Sequence, residues 1–196
     1  MTQQTGYPLF VAPRPYSFEL NEDMVAMLRE ELDVPALVEK FARAAAGKTG
    51  RELEAAAKDT FGSWGRAWMA RTLQLGEEYP DRTYEVLKEA ADRTGVLTFP
   101  HVPQRFIEIG YLATHQIYSL PMVENNSQRL IYKLANCYVY RSLQEKMGQE
   151  VAAALPCRYA CAAVETLGEG LGLDLVLDHE ATMNEDGYCQ FKLRRV

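Results

Sequence analysis

The order of element signals along the chain predicts an α+β protein: N-terminal helices packed on a small antiparallel sheet, then a C-terminal helix pair and a closing β-hairpin. Three observations carry this. From Asn21 to Arg93 apolar residues recur at helical spacing between capping and breaking residues. From Phe106 to Cys137 there are β-rich apolar runs around an Asn-Asn turn. After a further helical stretch, Leu173, Leu175 and Leu177 alternate with other residues, and a D-G turn leads to a last strand.

The chain divides into a proline-containing arm, residues 1–20, and one α+β domain, residues 21–196. Pro8, Pro13 and Pro15 prevent a regular helix in the arm. Tyr7, Phe10, Tyr16 and Phe18 make it more aromatic than a disordered tail, so it is expected to pack on the body or on a partner subunit. Asn21 caps a helix to Leu32. Asp33 and Pro35 start a second helix, with Leu37, Val38 and Phe41 as its stripe and Gly47 as its stop. Thr49-x-x-Glu52 has the capping-box pattern and opens a long helix to about Leu75. That helix contains F-G-S-W-G, and Gly62 and Gly65 within it mark close approach of another backbone or of a ligand. After Pro80 a helix runs from Thr83 to Arg93 and stops at Gly95, and Val96 to Pro103 is a connector containing His101.

Phe106–Leu112, Gln116–Val123 and Arg129–Cys137 are expected to be strands, the last two joined through Glu124-Asn125-Asn126-Ser127. Pro121 places the second of them at a sheet edge or bulge. Tyr138–Leu155 is helical with a break at Gly148, and Pro156 starts another helix from Cys157 to about Gly168. Asn184–Gly187 turns the chain between strands ending near Glu180 and returning over Tyr188–Leu193.

At 196 residues the chain is long enough to bury a real core, and 47% hydrophobic with 24% charged residues is ordinary for a globular protein. A net charge of -6 argues against non-specific nucleic-acid binding, which needs a basic face. No apolar run reaches the roughly 18 residues that span a bilayer. With no secretory leader pattern, four cysteines point to reduced thiols in the cytoplasm. No phosphate loop, dinucleotide fingerprint, H-E-x-x-H or G-x-S-x-G occurs.

Two groups of residues carry candidate chemistry. Trp64, Trp68, Phe106, Tyr111, His115 and Tyr132 would line a pocket for a small apolar or aromatic ligand between the long helix and the sheet. The alternative for the two tryptophans is plain core packing. All four cysteines, Cys137, Cys157, Cys161 and Cys189, lie in the last third of the chain. Cys157 and Cys161 are four apart on one helix and should share a face. Cys157 near a helix N-terminus favours thiolate, so it is a candidate nucleophile, with His115 as a general base. Free cysteines also serve as small core hydrophobes.

The ending of the chain resembles two related families. The features are Cys157 opening a helix, a strand from Leu173 to Glu180, and the hairpin Gly187-Tyr188-Cys189-Gln190-Phe191. One family is the four-vinyl-reductase domain, which shares its fold with trafficking (TRAPP) subunits and includes sensor domains of phenol-responsive activators. The other is the L-2-amino-thiazoline-4-carboxylic acid hydrolase-like family. The first resemblance implies ligand binding, a structural zinc and, from the trafficking relatives, a homodimer. Its zinc ligands map onto Cys157, Glu180 and Cys189, with Met183 where a further cysteine stands; Cys161 would supply the fourth donor. His179 and Cys137 are alternative donors. The second resemblance rests on Cys137, Gly148, Cys157 and Cys189 and implies a hydrolase opening a small heterocycle, although Ala160 stands where that family has an acid.

Overall fold

Side-chain caps fix where the first helices begin. A computed structural model describes residues 20–95, 101–154 and 157–196, so the expected arm lies outside the described residues except for Leu20. Asn21 Oδ1 accepts the Met24 N–H at 3.1 Å and starts α1 (Glu22–Glu31). Asp33 accepts the Ala36 N–H at 2.8 Å and starts α2 (Val34–Ala45). Thr49 is the N-cap of α3 (Gly50–Glu78), but its side chain makes no capping hydrogen bond, so the expected capping box does not form. Asp81 caps α4 (Arg82–Thr94), which stops at Gly95 in the left-handed conformation.

The segment expected to be the first strand is a helix. Phe106–Leu112 lies inside α5 (His101–Thr114), whose residues from Val102 to Thr114 are all buried. α5 packs against α1, α3, α4 and α8 (Arg158–Leu171). A helix covered on every side has no polar stripe, and its apolar run imitates a buried strand.

The sheet is antiparallel, in the order β1-β2-β4-β3. β1 (Met122–Asn125) is an edge strand, shorter than expected, as Pro121 requires. β2 (Arg129–Leu134) pairs with β4 (Cys189–Arg195), placing Tyr132 opposite Phe191 and Leu134 opposite Cys189. β3 (Leu175–Ala181) pairs with β4 on its other side, with a bulge between His179 and Ala181. Leu130, Tyr132, Leu134, Cys189, Phe191 and Leu193 face the core.

Between β2 and β3 the chain forms α6 (Tyr138–Met147), α7 (Gln149–Ala154) and α8. Gly148 separates α6 from α7 with φ 91°. The hairpin connection is one helical turn, α9 (Met183–Asp186), capped by Thr182 and ended by left-handed Gly187. The α+β architecture is the one the sequence predicts, with α5 as the correction. Among the described residues no helix is long and apolar enough to cross a membrane.

Candidate functional site

The crossing of α3 over α8 builds the back wall of the site. A Cβ at Gly65 would overlap the Tyr159 carbonyl oxygen, so only glycine permits this approach. Gly62, by contrast, faces only the flexible end of Arg66. The crossing sets Tyr159 edge-on to Trp64 and Trp68, with ring centroids 5.6 and 5.7 Å away.

The expected aromatic pocket residues divide. Trp68, Tyr111, His115 and Tyr132 form a packed cluster. Trp68 stands 5.0 Å from Tyr111, Tyr111 is 4.8 Å from His115, and Tyr132 is 5.8 Å from Tyr111. Trp64 is half-buried, stacks on Trp68 at 5.4 Å and lines a groove beside Leu32 and Leu37. Phe106 packs elsewhere, against Tyr84 at 5.9 Å. These rings fill the space between helices and sheet; the open cavity lies beside them.

His115 directly follows α5 and is fully buried. Its neighbour Gln116 has φ 54°, which turns the chain sharply after the histidine. The hydrogen-bond network fixes the ring's tautomer. Thr114 Oγ1 donates to the Gly110 carbonyl at 2.8 Å, so it accepts from His115 Nδ1 at 2.9 Å. Nε2 is then free to accept the Tyr159 hydroxyl at 2.9 Å. The Cys137 thiol lies 3.6 Å from that hydroxyl. A proton path therefore runs from Cys137 through Tyr159 to His115.

Cys137 was expected at the end of a strand and is instead the N-cap of α6. Its sulfur accepts the Tyr140 N–H at 3.4 Å. A hydrogen bond donated by Cys157 lowers its pKa well below the usual thiol range, and the His115 ring and the Tyr140 N–H act in the same direction. Cys157 moves the opposite way. Its thiol is held protonated by its hydrogen bonds to Cys137 and Cys189, and burial adds to this. The three residues Cys137, Cys157 and Cys189 line one cavity, and Cys157 is influenced by both of the others.

Cys161 does not join them. Cys157 is the N-cap of α8, with non-helical ψ 67°, so its side chain leaves the helical stripe on which Cys161 lies. Cys161 is exposed in a groove between α3 and α8, beside Arg66 and Glu165. Glu180, at the β3 bulge, faces solvent and binds Gln190 at 2.8 Å and Lys192 at 3.3 Å. Structural zinc needs convergent donors. The expected set of Cys157, Cys161, Glu180 and Cys189 does not converge. Among the described residues no group of three or more Cys, His, Asp or Glu is placed to hold a metal ion.

The cavity in front of the thiols has a volume of about 90 Å³. Cys137, Cys157, Cys189 and Tyr159 line its floor; Phe61, Val139, Leu143 and Ala152 line its apolar wall. Arg158, Thr182, Asn184 and Glu185 bring polar groups to it. His179 reaches it from β3 and packs tilted against Phe191, with ring centroids 4.6 Å apart. Gln149 fastens α9 to α6 by donating to Tyr140 Oη at 2.8 Å and Asn184 Oδ1 at 3.0 Å. Tyr159 was missed in the sequence, although its place beside Cys157 at a helix start was a usable signal. The chain matches no protein-family model and no curated protein.

Proposed function

We propose that the chain binds a small, compact, largely apolar or aromatic molecule in the cavity between α6, α7, α9 and the thiols. The observation that carries this is one cavity with an apolar wall, a thiol floor and polar groups from Arg158 and Asn184. At about 90 Å³ it is smaller than the roughly 150 Å³ apolar cavity that admits benzene, so an aromatic ligand requires α9 to move. The reading agrees with the four-vinyl-reductase-like resemblance, while moving the ligand from the tryptophan cluster to the thiol cavity. Ligand-observed NMR with a panel of small aromatic and aliphatic molecules tests it. Binding should occur in the native chain and disappear in Ala153→Leu, which fills the cavity from α7. Binding that survives Ala153→Leu would place the ligand elsewhere.

The second reading is thiol catalysis of the hydrolase-like kind. The Cys137–Tyr159–His115 path favours it, because it pairs a nucleophile with a base and orients that base through Thr114. In this reading the Cys137 thiolate attacks the acyl carbon of a small cyclic amide, the ring C–N bond breaks, and the nitrogen leaves with a proton delivered by Tyr159. Water then hydrolyses the resulting thioester, releasing a carboxylic acid and regenerating the Cys137 thiol. Cys157 donates to the attacking sulfur and is not itself the nucleophile. Turnover of a cyclic C–N substrate that is lost in Cys137→Ser and retained in Cys161→Ser would support it. Full turnover by Cys137→Ser would end it.

A further inference from the structure

We propose that Cys137 and Cys157 form a peroxide-reactive dithiol couple at the cavity floor, with Cys137 attacking and Cys157 resolving. Three observations converge on this. Cys137, Cys157 and Cys189 line one small cavity, and the Cys157 thiol is raised first by its neighbour Cys137 and next by Cys189. Cys137 alone of the four cysteines caps the N-terminus of a helix with its sulfur, accepting the Tyr140 N–H. Both residues line the cavity, Cys137 buried and Cys157 half-buried.

The chemistry balances without any group beyond a hydroperoxide. The Cys137 thiolate attacks the terminal oxygen; an S–O bond forms and the O–O bond breaks. The departing alkoxide or hydroxide takes a proton from the Tyr159–His115 path and leaves as an alcohol or water. Cys157 sulfur then attacks the Cys137 sulfenic sulfur. The S–S bond forms, the S–O bond breaks, and hydroxide leaves with the Cys157 proton as water. Two thiols are oxidised by two electrons, and one hydroperoxide is reduced. Peroxide is small enough to enter the cavity as it stands. The couple therefore does not depend on the ligand reading, and a bound ligand would shield it.

The position of the resolving thiol is the discriminating feature. Cys189 lines the same cavity as Cys157, whereas Cys161 sits in a separate groove. The fully reduced chain, freed of reductant, is treated with stoichiometric hydrogen peroxide. It is then denatured, alkylated and mapped by mass spectrometry. The expected product is a Cys137–Cys157 disulfide with Cys161 and Cys189 alkylated. Cys157→Ser should stop at a Cys137 sulfenic acid, trapped by a dimedone-type probe. Cys137→Ser should slow native thiol loss by about tenfold or more. Circular dichroism confirms that each variant is folded, and the wild-type map stands without them. A Cys157–Cys189 disulfide, or oxidation confined to Cys161, would overturn the proposal.

Discussion

At Cys137 a buried thiol meets a neighbouring thiol, a histidine ring and a helix N–H, and each of them favours the thiolate. An ultraviolet titration of thiolate absorbance should show one cysteine ionising well below the ordinary thiol range. Cys157→Ala removes the largest of these influences and should move that midpoint upward; an unchanged midpoint would contradict the assignment. A second residue-scale prediction concerns Glu108. It is fully buried, accepts from Gln104 at 2.7 Å, and its Oε2 has no hydrogen-bond partner among the described residues. Burial pushes its pKa from 4.5 up to about 8. The folded protein keeps this proton where the unfolded chain has released it. The stability it contributes is therefore full below pH 4.5 and is lost as pH rises through about 8. Glu108→Gln should flatten this slope and stabilise the protein at pH 7 by on the order of 3 kcal/mol, read by denaturant melts. Equal slopes in the two proteins would refute it. The sequence marked His115, Cys157 and Cys189 because their residue types are rare and chemically specific. It could not place Cys137 and Tyr159 beside them, since those contacts join a helix cap, a helix end and a helix start far apart in the chain.

At the scale of elements, the helix starts at Asn21 and Asp33, the stop at Gly95, the Gly148 break and the final hairpin were legible because their signals are local, whereas the expected Thr49 capping box does not form. α5 was not, because its environment is set by four other helices rather than by its own pattern. The spacing of Cys157 and Cys161 misled for a related reason: a cap residue does not continue the helical stripe. The α3–α8 crossing makes a paired prediction. Gly65→Ala should destabilise by about 1–3 kcal/mol through overlap with the Tyr159 backbone. Gly62→Ala should stabilise by up to about 1 kcal/mol, since it gains helix propensity with only the flexible end of Arg66 in ordinary contact. Thermal melts of the two variants check the pair, and similar shifts in both would contradict the close crossing. Because Tyr159 rides on that crossing, Gly65→Ala should also shift the Cys137 titration, and Gly62→Ala should leave it in place.

On the scale of the molecule, the buried aromatic cluster is a wall and the working space lies in front of it. The sheet supplies Cys189 and His179, α6 and α8 supply Cys137 and Cys157 at their caps, and α9 closes the front. Gln149→Ala removes the Gln149 bond to Asn184 on α9 and the one that braces Tyr140, leaving the weaker 3.5 Å Tyr140–Asn184 bond in place. It should speed labelling of Cys157 by a bulky thiol reagent by about two- to tenfold, the range expected for loss of modest hydrogen bonds. Unchanged labelling would mean that α9 does not control entry. The α+β class was legible from the order of signals, but the site was not, since it exists only where four separate elements meet.

A crystal structure under xenon pressure would test most directly whether the thiol cavity, rather than the tryptophan cluster, is the space open to ligands. Xenon enters dry apolar cavities. It should appear beside Phe61, Leu143 and Cys157 and be absent from that position in Ala153→Leu. Xenon lodged instead among Trp68, Tyr111 and Tyr132, with none at the thiols, would show that the ligand space has been put on the wrong side of Tyr159.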